Sequence, residues 1–222
     1  MDTKLTGKTR IESDLIGARE IPAEALYGVQ TLRGIENFSI SKFRLSEYPL
    51  FIKGLAITKM AAAMANFELG LLTVEQKDAI IAACGEILDG KHHDQFPVDM
   101  IQGGAGTTTN MNANEVIANR ALELMGHERG EYQYCSPNDH VNCSQSTNDA
   151  YPTAIHIGMY FKHLQLLPHL EELIASFRKK GEEFSQIIKM GRTQLEDAVP
   201  MTLGQTFNGF ASILQDEICL LY

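Results

Sequence analysis

The sequence has few cysteines, few basic residues and no long apolar run, and each shortage excludes a class of protein. Its four cysteines form no Cys-x-x-Cys pair, so their spacing predicts neither a zinc site nor a disulfide framework and favours a reduced, cytoplasmic protein. Nineteen Lys and Arg against 28 Asp and Glu give a net charge of −9, which disfavours nucleic acid and anionic membranes as partners. Lys59 and Asn66 interrupt the most alanine-rich stretch, so no apolar run approaches a membrane span. The first 14 residues also lack the apolar region of a signal peptide.

Several common catalytic motifs are missing too. The glycine-rich stretch 102–114 lacks the Gly-Lys-Ser/Thr ending of a phosphate-binding loop and the third glycine of a dinucleotide fingerprint. His127 and Glu128 are not followed by the second histidine of a zinc protease, and the sequence contains no Gly-x-Ser-x-Gly elbow. His92 and His93 are adjacent and therefore point in different directions, which favours a solvated loop over a metal site.

Helical periodicity dominates the chain, whose 222 residues suffice for one large domain or two small ones. A capping box at 73–76 opens one predicted helix, and Pro49 suits the start of another. Pro168 is expected to kink the longest helix or to mark a join. Because strand alternation never exceeds a few residues, the pattern predicts a mainly α fold. The predicted helices cover about 49–67, 73–88, 111–125, 148 onwards and 201–222.

The last predicted helix remains apolar up to Tyr222, with no Gly, Asn or Pro behind it as a stop signal. Many natural helices are poorly capped, so this pattern is compatible with a true helix end. We nevertheless expect the sequence to be an incomplete domain.

Three clusters, the first of them wholly uncharged, concentrate neutral hydroxyl and amide side chains at or near predicted helix starts. They cover 102–114 (QGGAGTTTNMNAN), 143–149 (CSQSTND) and 191–200 (GRTQLEDAVP). Taken alone, any one of them is most simply a helix N-cap. Three in one chain favour a ligand instead, because helix N-termini also present free backbone N–H groups that suit carboxylates or phosphates. A small-molecule carboxylate-binding module would account for this pattern as well.

Four long blocks carry a resemblance to a known family. They are residues 10–38 (RIESDLIGAREIPAEALYGVQTLRGIENF), 94–126 (DQFPVDMIQGGAGTTTNMNANEVIANRALELMG), 135–157 (CSPNDHVNCSQSTNDAYPTAIHI) and 189–205 (KMGRTQLEDAVPMTLGQ). In this order they resemble the aspartase/fumarase superfamily, and most closely its aspartate ammonia-lyases. The resemblance implies a mostly helical N-terminal domain at 1–141 and, at 142–222, the first part of a long central helical bundle. It also implies reversible deamination of L-aspartate to fumarate and ammonia.

The resemblance gives the clusters a chemical role. These lyases remove a proton beside a carboxylate and form an aci-carboxylate, so neutral donors that stabilise the added negative charge are needed. The resemblance places Thr107, Ser146 and Thr147 around the β-carboxylate of the substrate. It further places Asn148 at the amino group and Thr193 at the α-carboxylate. No metal and no organic cofactor are implied.

Gln194 separates the alternatives within the superfamily. It stands where fumarases have a histidine, and Gln cannot exchange a proton near pH 7, so aspartate ammonia-lyase is favoured over fumarate hydratase. Ser136 stands where fumarases have another histidine, which belongs to a second dicarboxylate site, so that site is not carried over.

One departure from the family pattern bears on activity. The flexible loop that supplies the serine base, GSSxMPxKxNP in pattern, has no match in this chain and is expected beyond residue 222. The family also builds each active site from three subunits of a homotetramer. We therefore expect no catalytic base on this chain and no activity from the chain alone. A non-catalytic fragment with a structural or assembly role remains the alternative from another class.

Overall fold

The computed structural model describes residues 7–221, which belong to two compact units with bounds Met1–Met159 and Tyr160–Tyr222. Helices dominate, which confirms the predicted mainly α fold. The predictions for the first 14 residues lie partly outside the described residues, and the one for Tyr222 lies wholly outside them. The predicted domain boundary at 141–142 stays a prediction.

The first unit, unit 1, begins with an antiparallel hairpin and continues with helices. Its elements are β1 (Thr9–Asp14), β2 (Gly17–Pro22), α1 (Val29–Asn37), α2 (Pro49–Glu68), α3 (Val74–Leu88), α4 (Thr107–Leu124) and the first part of α5 (Thr147–Glu183). Helices α2, α3 and α4 pack around a core in which Ile52, Ile80 and Ile117 are fully buried. The start of α5 lies close against α2, because the glycine at position 54 leaves room for the carbonyl oxygen of Ala154.

The second unit, unit 2, contains the rest of α5, the antiparallel strands β3 (Ile188–Thr193) and β4 (Glu196–Thr202), and α6 (Leu203–Leu221). Leu167 and Ile174 of α5 pack with Ala211 and Ile218 of α6 in a small core. Tilted and edge-on aromatic contacts, centred on Phe207, extend that core toward the hairpin.

The helix predictions from periodicity are largely confirmed. The capping box of α3 forms as expected, with the N–H of Gln76 donating to Thr73 Oγ1 over 3.2 Å. Helix α4 begins at Thr107 rather than at the predicted Met111, because the side-chain oxygen of Gln102 accepts the N–H of Thr109 over 2.8 Å and satisfies the first turn. Helix α5 continues through Pro168 and extends to Glu183.

Neither hairpin is predicted by the alternation of apolar and polar residues in the sequence. Each is a separate two-stranded ribbon, and β3 and β4 expose most of their residues to solvent. A ribbon that buries neither face needs no alternation of apolar and polar residues, so the period-2 signal is absent. The stretch 191–200, predicted as a donor cluster near a helix start where two helices meet, therefore forms most of the second hairpin instead, and α6 begins only at Leu203.

Helix α2 is the one described helix that is long and apolar enough to cross a membrane, with a mean hydropathy of 1.3 over its best window. Length and composition alone do not distinguish such a span from the core helix of a globular unit. Lys59 and Asn66 are buried on this helix, and their side chains hydrogen-bond to the segment 142–145. These contacts make α2 a core helix of unit 1 in the structure.

Two buried carboxylates hold the N-terminus of α1. Glu115 of α4 accepts the N–H of Gly28 over 2.8 Å and the N–H of Thr31 over 3.0 Å. Glu12 of β1 accepts the N–H of Val29 over 3.0 Å. The positive end of a helix attracts such carboxylates. Burial nevertheless raises the pKa of Glu115, against the effect of its N–H donors. The two side chains thus tie α1 to α4 and to the first hairpin.

Because of an ion-pair cluster on the surface of unit 1, we expect the stability of the fold to decrease at low pH. Arg120 donates two hydrogen bonds to Glu86, over 2.6 and 2.8 Å, and His92 lies 2.8 Å away. Chiefly through the Arg120 hydrogen bonds, the pKa of Glu86 falls from 4.5 to about 2. Because this folded pKa is depressed, the stabilisation is complete above pH 4.5 and is lost as the pH falls toward 2.

We expect about 2 kcal/mol of unfolding free energy to disappear across that window, allowing for partial exposure of the pair. Urea unfolding measured from pH 6 to pH 2.5 should show a weaker pH dependence for Glu86→Gln than for the unaltered chain. The exposed Glu171→Gln variant is the control and should follow the unaltered chain. An unchanged pH dependence in Glu86→Gln would remove this cluster from the acid response.

Candidate active site

The starts of α4 and α5 lie side by side in unit 1. The side-chain amide of Asn110, in the first turn of α4, donates to Thr147 Oγ1 in the first turn of α5 over 3.2 Å. Gly106, which precedes α4, lies directly against the ring of Tyr151 one turn further along α5. Two predicted clusters, 102–114 and 143–149, are therefore brought together at adjacent helix N-termini. We call this place the helix-start junction.

Four predicted site residues lie at the helix-start junction. Thr107, Ser146 and Asn148 are exposed, whereas Thr147 is half-buried. The N–H of Asn148 donates to Ser146 Oγ over 3.2 Å, so Ser146 caps α5 as the simpler interpretation of its cluster expects. A capping oxygen still retains its own hydroxyl proton for a ligand. Capping and ligand binding are thus compatible at this residue.

A buried polar layer, formed by Lys59, Asn110, Asn142 and Gln145, lies on the interior side of the helix-start junction. Lys59 of α2 is fully buried, and its ammonium donates to Asn142 Oδ1 and to Gln145 Oε1, each over 2.9 Å. Burial lowers the pKa of Lys59 from 10.5 to about 7, while the nearby Cys84 acts in the opposite direction. Among residues 7–221 no carboxylate pairs with this lysine. The layer is therefore held by neutral amide oxygens around a lysine that titrates near neutrality.

The polar layer contains residues that sequence reasoning overlooks. Asn110 and Gln145 fall inside the predicted clusters but are not singled out there, and Asn142 lies one residue before the second cluster. Lys59 registers only as an interruption of an apolar run. A charged residue within an otherwise apolar helix was the available signal, since an unpaired lysine is rarely buried without a dedicated set of acceptors.

Thr193 and Gln194 belong to unit 2 and are both exposed. Thr193 ends β3, and Gln194 with Leu195 forms the two-residue turn before β4. Both turn residues have positive φ, 51° and 67°, as the tightest hairpin turns require. Neither is the glycine or asparagine that tolerates this conformation best, so the turn that carries Gln194 is strained.

This strain predicts a stabilising substitution. Replacing Leu195, which is fully exposed, by glycine removes the left-handed strain without removing packing, so we expect the unfolding free energy to rise by about 1 kcal/mol. Val199→Gly is the matched control, because this exposed residue in β4 lacks positive φ and should lose stability as glycine. Urea unfolding of the protein, with hydrogen exchange of the hairpin amides as the probe, measures the stability change in both variants. A loss of stability in Leu195→Gly would refute the assignment of strain.

Metal-binding geometry is not found in the described part of the chain. Within residues 7–221, no three His, Cys, Asp or Glu side chains come close enough to hold a metal ion. His92 pairs with Glu86, and His93 Nε2 lies 2.9 Å from the carbonyl oxygen of Ile87. The adjacent histidines thus have separate partners.

Comparison with known proteins supports the resemblance that the sequence blocks suggest. A family model described as Lyase matches residues 17–221. The chain is 58% identical over 212 residues to aspartate ammonia-lyase from Pseudomonas canavaninivorans, covering 96% of this chain and 45% of that protein. It is 56% identical over 215 residues to aspartate ammonia-lyase from Escherichia coli K12, again covering 96% and 45%. The chain therefore spans somewhat less than half the length of these relatives.

Solved structures agree with the sequence comparisons. A fumarate lyase:delta crystallin from Brucella melitensis, bound to cobalt, has a TM-score of 0.91 and 53% identity, covering 96% of this chain and 46% of that one. The class II fumarase from Schistosoma mansoni has a TM-score of 0.86 and 39% identity, covering 95% and 44%. The match to the family model over most of the chain, together with these similarities, establishes that the chain belongs to the lyase family, as its sequence blocks predict.

Proposed function

We propose that this chain supplies part of the active site of an aspartate ammonia-lyase, which converts L-aspartate reversibly to fumarate and ammonia. The observation that carries the proposal is the helix-start junction, where neutral hydroxyl donors gather at two adjacent helix N-termini. The relatives named aspartate ammonia-lyase, at 56–58% identity, support this substrate over malate. Fumarate hydratase is less well supported, since the class II fumarase is 39% identical.

The proposed reaction explains why the donors are neutral. Removal of a proton from the carbon beside the β-carboxylate leaves an electron pair that delocalises onto that carboxylate, which then carries two negative charges. When the carbon–nitrogen bond breaks, this pair forms the double bond of fumarate and the amine leaves as ammonia. Hydroxyl and N–H donors fixed in advance stabilise the added charge, and having no acidic proton to lose, they stay donors.

Each predicted site residue has a proposed role. Thr107, Ser146 and Thr147 donate to the β-carboxylate, and their position at two positive helix ends adds to the attraction. Asn148 contacts the amino group. Thr193 donates to the α-carboxylate, with Gln194 beside it in the strained turn. The base that removes the proton is proposed to lie on a serine loop outside this chain.

We further propose a cytoplasmic homotetramer, with the functional domain boundary at 141–142. Large exposed apolar side chains in unit 2 support association through the helical part of the chain. They include Leu164, Leu173, Phe210, Ile213 and Leu220. The four free cysteines fit a reducing compartment, since none of them is paired.

An assay with two proteins tests the proposed function. One is the chain alone, and the other is a chimeric lyase in which this chain replaces the matching part of the E. coli relative. Fumarate formation from L-aspartate, followed by ultraviolet absorbance, should be clear for the chimeric lyase and undetectable for the chain alone. A folded, assembled chimeric lyase that acts on malate and not on aspartate would overturn the choice of substrate. Turnover by the chain alone would overturn the need for residues outside it.

A further inference from the structure

The side chain of Asn110 lies directly beneath Thr147 and is about as buried as a core residue, at 1% exposure. Its amide nitrogen has two acceptors within reach, Asn142 Oδ1 at 3.1 Å and Thr147 Oγ1 at 3.2 Å. An asparagine amide can be turned end for end, which would present its oxygen to both groups instead. The direction of this amide decides whether the Thr147 hydroxyl accepts or donates toward Asn110.

The surrounding backbone carbonyls fix the direction of the neighbouring amides. The side-chain nitrogen of Gln145 faces the carbonyl oxygens of Val141 and Cys143, over 2.8 and 3.1 Å, and carbonyls can only accept. Likewise, the side-chain nitrogen of Asn142 donates to the backbone carbonyl of Gln145 over 3.1 Å. Both side-chain oxygens are therefore directed away from these carbonyls and toward the interior of the layer.

Lys59 completes the order of donors and acceptors. Its nitrogen donates to both of these side-chain oxygens, whether the amine is charged or neutral, because the neutral amine retains two protons. Since Asn142 Oδ1 is an acceptor, Asn110 must present its nitrogen to it. The same nitrogen then donates its second proton to Thr147 Oγ1, and the Thr147 hydroxyl proton has to point elsewhere.

We propose that Asn110 is a positioning residue, which by donating to Thr147 Oγ1 turns the Thr147 hydroxyl proton toward the substrate carboxylate. This inference rests on the proposed function. The chain of hydrogen bonds runs from Lys59 through Asn142 and Asn110 to Thr147. The lysine therefore fixes the direction of the Thr147 hydroxyl without contacting it. Asn110 itself is buried beneath the junction and acts only through Thr147.

The order of hydrogen bonds is tested directly on this chain. Neutron diffraction from crystals of the perdeuterated 222-residue protein locates the deuterium atoms on amides and hydroxyls. We expect two deuterium atoms on the Asn110 nitrogen, directed at Asn142 Oδ1 and Thr147 Oγ1, and the Thr147 deuterium directed away from Asn110. A Thr147 deuterium that points at Asn110 would overturn the inference, whatever reaction the enzyme catalyses.

The positioning role is tested by a double-mutant cycle in the chimeric lyase. Asn110→Leu keeps the branched shape and the number of heavy atoms of the side chain but removes the donor, and we expect kcat to fall about 10- to 100-fold with a much smaller change in KM. In a Thr147→Val background the same substitution should change kcat less than about threefold, because the hydroxyl it positions is gone. Thr147→Ser keeps the hydroxyl, so this variant should retain activity when Asn110 is unaltered.

The control and the outcomes separate this inference from the proposed function. Asn112→Leu removes another buried amide of α4, which donates to the carbonyl of Gln95 over 3.0 Å. It should lower thermal stability as Asn110→Leu does, with little change in kcat. Equal losses from Asn110→Leu in both backgrounds would overturn the positioning role. A folded chimeric lyase without aspartate turnover would refute the proposed function instead, while the neutron result still decides the hydrogen-bond order.

Discussion

Gly106→Ala is expected to destabilise unit 1 by about 3 kcal/mol, through overpacking and backbone strain together. Gly106 has a φ of 85°, in the left-handed region, and an added Cβ would overlap the ring of Tyr151. That ring is itself held edge-on against Phe51 of α2, with centroids 5.5 Å apart, so it cannot move away without disturbing the core. The glycine is thus required by both the backbone and the packing at the start of α4.

The chain offers a matched control for this prediction. Gly126 has a nearly identical φ of 81°, but an added Cβ there would meet nothing within 4 Å. Gly126→Ala should therefore show the strain alone, about 1 to 2 kcal/mol. Thermal and urea unfolding of both variants give the difference, which is the contribution of the contact with Tyr151. If the two variants lose equal stability, close packing at the helix-start junction is not what requires Gly106.

Features that depend on residues close together in the sequence could be predicted. The capping box at Thr73, the helix start at Pro49 and the cap at Ser146 depend on groups within a few residues of each other, so a short pattern contains the whole interaction. The start of α5 is predicted in the same way, because its hydroxyl and amide residues stand directly at the first turn, whereas the roles of Thr107 and Thr147 toward a substrate stay predictions. The sequence blocks then supplied the family, which the comparisons confirm.

Interactions across the fold could not be predicted in this way. Lys59 reaches Asn142 across 83 positions of sequence, and nothing local to either residue indicates the other. Glu115 caps α1 from 87 positions away, which leaves the start of that helix without a local signal. The early start of α4 has the same cause, since its first turn is satisfied by Gln102 from outside the helix. The sequence therefore predicted candidate donors at the helix-start junction but not the buried layer that hydrogen-bonds beneath them.

Thr147→Ala is expected to lower kcat of the chimeric lyase by about 10² to 10³, the usual effect of removing one donor to a developing anion. In the proposed mechanism the hydroxyl acts on charge that grows as the proton leaves, so the loss should fall mainly on kcat and less on KM. Stability should change little, because Thr147 is only half-buried and Asn110 keeps its bond to Asn142. Steady-state kinetics with L-aspartate, read as fumarate absorbance, measures both constants.

Two further variants decide whether the effect belongs to the hydroxyl. Thr153→Ala changes an exposed threonine less than two turns further along the same helix and should leave both constants unchanged. Thr147→Ser restores the hydroxyl without the methyl group, and kcat should recover to within about tenfold of the unaltered enzyme. An unchanged kcat in Thr147→Ala would exclude Thr147 from the mechanism. It would also remove the purpose of the buried layer, because a hydroxyl that does not donate to the substrate needs no lysine-anchored chain of amides to orient it.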